Sequence, residues 1–421
     1  MLLATSLIFQ ACEDKKTIIR TLNVPIYKSK AEIRSEVNVS GPEAIDNAGK
    51  IFYKDSYLFI SEAHEGIHII NNADPRNPQN VSFLNVPGAL DVTIKDNYLY
   101  CDNYTDLVVF DISDVNNIQE IQRVNDVFMY NLPEHDEKYG RAEIDPSKGI
   151  VVGWEVKEFE EEFTPELQSS LIWGEVEPMM MQDAAMNTGS SFGGTNFEGN
   201  KSSSSYGVAG SMSRFAIMDN NLYTLDGWKI NVFDITDSDT PELVDQIETW
   251  REMETIFPVR QNIFIGTTTG MMIYSLDDPN SPHHVSTYEH VTACDPVVVK
   301  DDYAYVTLRT GTACGGWTNV MDVVNISDMA NPYQETEYSM TNPHGLGFSY
   351  DVLFLCDGIA GLKVYNAENP MALEMISQFP DIHAEDVIAY QDVLMLIGND
   401  GLYQYDYSDI NNIQLLSHIG L

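Results

Sequence analysis

Ile67-His-Ile-Ile-Asn71 runs into Ala73-Asp-Pro-Arg-Asn-Pro78, a short apolar run followed by a turn that forbids its continuation. Leu107-Val-Val-Phe-Asp111, Ile230-Asn-Val-Phe-Asp234, Met271-Met-Ile-Tyr-Ser275, Met321-Asp-Val-Val-Asn325, Leu362-Lys-Val-Tyr-Asn366 and Leu402-Tyr-Gln-Tyr-Asp406 align with it. Their starts are 40, 123, 41, 50, 41 and 40 residues apart, a fixed period broken by one large and one small insertion. Ser113-Asp-Val-Asn-Asn117 and Asp277-Asp-Pro-Asn-Ser-Pro282 repeat the turn. Asp and Asn cap the amides of such turns and Pro cannot extend a strand, so these acids read as structural rather than as calcium ligands.

Ahead of the pentapeptides stand hairpins of one form: an apolar strand, a Lys/Asp/Asn turn and an aromatic-rich strand. Val92-Thr-Ile-Lys-Asp-Asn-Tyr98 and Val298-Val-Lys-Asp-Asp-Tyr303 are examples. Each repeat thus holds four short strands, a sheet too small to be stable alone. Stacking such sheets about one axis buries both faces of each and removes most free edges. The expected fold is all-β: a closed β-propeller of seven four-stranded blades.

The pentapeptide and the Asp-Pro or Asn-Pro turn after it resemble the LVIVD repeat of bacterial and archaeal cell-surface β-propellers, over roughly residues 44 to 421. That resemblance implies an architecture and brings no catalytic residues with it. Closure is open to two readings. Glu32-Ile-Arg-Ser-Glu-Val-Asn-Val39 reads as a fourth strand placed before the first blade, while Ile413-Gln-Leu-Leu-Ser-His-Ile419 supplies one for the last.

The interval of 123 residues spans three periods and leaves room for a missed pair of blades. Arg141 to Val156 looks like a first hairpin, but residues 158 to 212 turn acidic, then Met-rich, then Gly/Ser-rich, which cannot bury two more strands. Residues 125–212 are therefore one excursion. It joins the outer strand of blade two to the inner strand of blade three, on the rim that also carries the loops between second and third strands. The smaller insertion, Arg309 to Asn319, lies in such a loop.

The first twelve residues, Met1-Leu-Leu-Ala-Thr-Ser-Leu-Ile-Phe-Gln-Ala-Cys12, are apolar, too short to span a bilayer, and end in a small residue before a cysteine. They resemble a bacterial lipoprotein signal. The resemblance implies removal of residues 1–11, lipidation of Cys12, a polar tether over 12–31 and a propeller over 32–421. The protein is then expected outside the cytoplasm, anchored to the outer membrane, touching lipid only through that N-terminus. An exported chain can oxidise its thiols. Cys294 and Cys314 flank one predicted hairpin whose pairing brings their ends together, so a disulfide is sterically reasonable, with two free thiols the other reading. Cys101 and Cys356 share one place in two repeats and read as core.

With 64 acidic against 23 basic residues the formal charge is −41, which repels phosphate backbones, and nucleic acid is not expected as a partner. Asp91, Arg214, Glu254, Asp295, His344, His383, Glu385 and Asp386 stand at the starts of inner strands and would ring the mouth of a central channel. Such a ring could hold a polar ligand or a divalent cation; otherwise it is polar because water reaches it. No other cofactor is implied.

Two catalytic patterns are discounted. His64-Glu-Gly-Ile-His68 has zinc-protease spacing, but that chemistry needs a helix and this stretch enters a predicted strand. Gly189-Ser-Ser-Phe-Gly193 matches a nucleophile elbow without the strand and helix that it requires. The expected function is a non-catalytic, monomeric binding or scaffold propeller. It would present its insertion-bearing face to a protein, a glycan or a small polar ligand. The alternative is a hydrolase or lyase using His344, His383 and nearby carboxylates.

Overall fold

A computed structural model describes residues 16–130, 132–163, 207–290, 296–309 and 318–420. Cys12, Cys294, Asp295 and Cys314 lie outside them, as does the Gly/Ser-rich stretch. The chain divides into two compact units, one of Met1–Lys30 with Leu132–Ser190, the other of Ala31–Asn131 with Ser191–Leu421.

The larger unit contains seven antiparallel sheets, numbered 1 to 7 here in chain order. Sheet 2 shows the pattern: Val92–Lys95, Tyr98–Asn103, Asp106–Asp111 and Gln119–Val124 pair in sequence order. The pentapeptide is the third strand of every sheet, and its pairing with the fourth strand slips by one residue beside its third and fourth positions in all seven copies. A bulge at one place in each copy is strong evidence of a single repeated unit. The departing copies Met271–Ser275 and Leu402–Asp406 keep it.

The fifth position makes the turn. Asn71, Asp111, Asp234, Ser275, Asn325, Asn366 and Asp406 each accept a hydrogen bond from the amide two residues on, at 2.8–3.1 Å. The residue after each pentapeptide donates its amide to the preceding hairpin turn, as Ile112 does to Asn97 O at 2.8 Å. The turn acids are thus engaged with backbone.

Inner strands of successive sheets lie side by side, and Ala384–Tyr390 of sheet 7 lies against Ala48–Lys54 of sheet 1. Ile51, Leu58 and Ile60 of sheet 1 share a buried cluster with Ile388, Met395 and Ile397 of sheet 7. Asn72 and Gln404 exchange amide hydrogen bonds of 2.8 and 2.6 Å across the same seam. Gln414–Gly420 is the fourth strand of sheet 7. Glu32 to Val39 is not a strand of that kind. Lys30–Ser35 is a helix with only Ile33 buried, and Asn38–Ser40 extends the outer edge of sheet 1. Arg34 holds the helix down through two hydrogen bonds to Asp106, at 2.7 and 3.0 Å.

The smaller unit corrects two expectations. Residues 12–31 are not simply a tether: Lys16–Lys28 is a strand paired antiparallel with Ile150–Phe163. Nor do residues 141–156 form a hairpin within the excursion: Gly140–Arg141 and Ile150–Phe163 lie on opposite edges of Lys16–Lys28. The propeller-like unit therefore excludes residues 132–163. Local pattern pointed to a hairpin; pairing over more than a hundred residues prevailed. Asn23, wholly buried, donates to the carbonyls of Asp136 and Tyr139 at 2.9 and 2.7 Å.

Candidate functional site

Three features meet on the rim formed by the loops between second and third strands and the connections between sheets. The first is a strap, Gly207 to Arg214, which leads into the inner strand Phe215–Met218 of sheet 3. Val208–Ala209 pairs with Ala48–Lys54 of sheet 1, and the Gly210 amide donates to Ile51 O at 3.0 Å. Ser211 Oγ donates to Asp386 Oδ1 of sheet 7 at 3.3 Å and accepts from the Leu346 amide of sheet 6 at 2.8 Å. Ser213 Oγ donates to Asp91 Oδ2 of sheet 2 at 2.9 Å, and Ser213 O accepts from the Ile256 amide of sheet 4 at 2.9 Å. Eight residues thus touch five sheets besides their own. A side chain at Gly210 would strike the Asp386 carboxylate, so the close approach requires glycine.

Asp91 and Asp386 are 2% and 1% exposed. Asp91 Oδ2 also accepts from the Arg214 and Phe215 amides. Burial pushes the Asp386 carboxyl up to about 7, opposed by hydrogen bonds from the Val387 and Met212 amides. Lys50, which the sequence reading missed, stands 3.7 Å from Asp91 Oδ2, and burial lowers its ammonium to about 8. Pairing slips in the inner strands of sheets 1, 4 and 7, leaving Lys50, Glu254 and Glu385 at bulges that re-aim them.

A second feature gathers His344, His383 and Glu385 with Arg309 and Asn342. The His344 and His383 rings meet edge to face at 5.7 Å, and His383 Nδ1 is 3.4 Å from Glu385 Oε1. The Arg309 guanidinium donates to the His344 ring, whose Nε2 is 3.0 Å from the Asn342 side-chain amide. Burial first, then Arg309 and His383, depress His344 to about 3, so its ring is neutral at ordinary pH. Glu254 stabilises the Arg309 cation electrostatically. Among the described residues no three His, Cys, Asp or Glu side chains are grouped so as to hold a metal ion.

The third feature is a small open cleft between sheets 1, 2 and 3. Asp91 and Arg214 line it, together with His64, Tyr104, Phe128 and Met129. His64 and Tyr104 sit at positive φ, 65° and 54°, in the loops between second and third strands, and their rings stack at 6.1 Å. The two other carboxylates that line the cleft are committed to backbone. Asp102 accepts from the Leu90 and Asp91 amides at 2.8 and 3.1 Å, and Asp226 from the Met129 amide at 2.7 Å. Burial raises Asp102 to about 6 and also raises Asp226. His68 lies within the strand Gly66–Asn71, not on the helix that zinc-protease spacing needs, and its Nε2 is 2.6 Å from Glu62 Oε2.

This geometry defines a β-propeller fold, and solved structures agree. Three are similar over most of their length: a candidate 6-phosphogluconolactonase from Bacteroides uniformis, a protein from Lactobacillus plantarum, and the computationally designed Ika8 protein. The first has a TM-score of 0.55 at 9% identity, covering 89% of this chain and 97% of that one. The second scores 0.50 at 9% identity, covering 86% and 96%. Ika8 scores 0.50 at 10% identity, covering 90% and 89%. At such identities the likeness concerns the fold alone. No family model and no curated protein matches the chain.

Proposed function

We propose that the seven sheets are the blades of one closed, LVIVD-like propeller that works as a non-catalytic binding or scaffold module. In this reading it sits outside the cytoplasm, held at the outer membrane through a lipidated Cys12. It acts as a monomer and offers the insertion-bearing rim to a protein, glycan or small polar ligand. The observation that carries the reading is the strap. It draws the buried carboxylates Asp91 and Asp386 into holding backbone across the centre, where a catalytic propeller would need open acid/base groups. The open cleft beside Met129 lies on the same rim, next to the point where the excursion leaves sheet 2.

The hydrolase or lyase reading has less support. Arg309 donates to the His344 ring and burial disfavours its protonation, both suited to a neutral strut rather than a proton shuttle. The acidic surface makes nucleic acid an unfavourable partner.

The test is a pull-down from membranes, comparing the whole chain with a variant whose residues 164–206 are replaced by a short Gly/Ser linker. The linker leaves the strand Ile150–Phe163 and the strap intact. Loss of a partner at unchanged melting temperature would support recognition by the rim; unchanged capture would count against it.

A further inference from the structure

Ile150–Phe163 is an outer strand. Its sheet has the order Gly140–Arg141, Lys16–Lys28, Ile150–Phe163, so among the described residues the far edge of Ile150–Phe163 pairs with no strand. On the opposite side Gly140–Arg141 reaches only Leu22 and Asn23. The two long strands otherwise form a two-stranded ribbon, with 13 residues in Lys16–Lys28, and such a ribbon is marginal in water alone. Its open edge offers a row of backbone donors and acceptors to a chain that can lie alongside. Glu155, Val156, Lys157, Glu158 and Phe159 are all exposed, although successive residues of a strand face opposite sides. Val156 at 46% and Phe159 at 39% thus leave apolar surface open on both faces.

Charge selects what can lie there. Glu155-Val-Lys-Glu-Phe-Glu-Glu-Glu-Phe163 holds five acids and one base, and that base, Lys157, is paired with Glu155 at 2.6 Å. A second copy adding along the same edge would set acid against acid, which destabilises a sheet. A segment rich in Lys or Arg would instead place opposite charges beside them on both faces. Apolar residues within that segment would cover Val156 and Phe159.

We propose that the free edge of Ile150–Phe163 docks an extended, basic segment of a partner protein, which adds to the sheet as a further strand. Backbone hydrogen bonds hold the segment, and Glu155 and Glu158, on opposite faces, select its charge. The edge belongs to the smaller unit and is a binding surface beyond the rim.

The test is calorimetry on the full chain with a short synthetic peptide of alternating lysine and valine. A chain of charge −41 attracts any cation, so the control is the same peptide with every amide N-methylated, which keeps charge and side chains but cannot donate to a strand. The plain peptide should bind roughly tenfold or more tightly than its methylated form, and it alone should slow hydrogen exchange within residues 150–163. Glu155→Gln combined with Glu158→Gln, both at exposed positions, should weaken it about threefold to tenfold. The proposal is overturned if both peptides bind equally, if exchange at 150–163 does not change, or if the double substitution has no effect. Binding that appears only when residues 164–206 are replaced by the linker would overturn it too, assigning the edge to a segment of this chain. So would a dimer already protected at 150–163 before peptide is added. Peptide binding retained in the linker variant while membrane capture is lost would support this edge as a site separate from the rim.

Discussion

Ser213 Oγ donates to Asp91 Oδ2 at 2.9 Å, joining residues 122 apart in the chain and fixing the strap to the start of sheet 2. The same oxygen accepts from the Arg214 and Phe215 amides and Oδ1 accepts from the Val92 amide, so one buried carboxylate satisfies four donors. Asp91→Ala should therefore destabilise the larger unit by about 3–5 kcal/mol, since each buried donor left unmet costs roughly 1–3 kcal/mol. Urea denaturation followed by tryptophan fluorescence measures it. Ser213→Ala, which removes one donor of the four, should cost about 1 kcal/mol.

Asp386 gives the strap a pH signature. Its carboxyl is raised by burial from 3.8 to about 7 in the folded chain. The folded state thus holds a proton that the unfolded state releases. The associated stability is fully present below about pH 4 and is lost as pH rises through 7. The difference in unfolding free energy between wild type and Asp386→Asn should change by about 4 kcal/mol between pH 4 and pH 8, with the variant gaining toward high pH. Denaturation curves of both chains across that range would show it; parallel profiles would not fit.

His344 acts in the opposite sense. Its folded value lies near 3, below the ordinary 6.5, chiefly through burial. Its stabilising contribution is therefore whole above about pH 6.5 and declines as pH falls toward 3. Proton NMR should show its ring resonances unmoved between pH 8 and pH 4.5. Titration near pH 6.5 would mean that the ring is not buried against Arg309 as described.

Two glycines separate the demands of the repeat from those of a loop. Gly401, at φ +136°, precedes its pentapeptide, and a Cβ there would run into the Ile419 carbonyl of the next strand. Gly227, at φ +57°, faces open space. Gly401→Ala should cost about 2–4 kcal/mol against about 1 kcal/mol for Gly227→Ala, read as the difference in denaturation midpoints.

The repeat was legible because each pentapeptide combines an apolar strand with an Asx turn, and both depend on local chemistry alone. The smaller unit was not: Lys16–Lys28 mixes polar and apolar residues without the repeat's phrase, and its partner lies more than a hundred residues away, so no nearby pattern announces the pair. Of the rim residues, Asp91, Arg214, Glu254, His344, His383, Glu385 and Asp386 could be placed by counting to the starts of inner strands. Their surroundings could not. Gly207-Val-Ala-Gly-Ser-Met-Ser213 reads as the tail of a Gly/Ser-rich stretch, yet it is the segment that occupies Asp91 and Asp386. His64, Tyr104 and Arg309 were missed as site residues because they stand in loops whose course no periodicity gives. The positive φ of His64 and Tyr104 is a property of the folded backbone.

A closed ring requires the first and last sheets to meet. Asn72 and Gln404, 332 residues apart, exchange two side-chain hydrogen bonds at that seam. A double-mutant cycle with Asn72→Ala and Gln404→Ala, read by urea denaturation, measures their coupling. A closed ring predicts a coupling of about 1 kcal/mol or more. Additive losses, with no coupling between the two positions, would contradict closure.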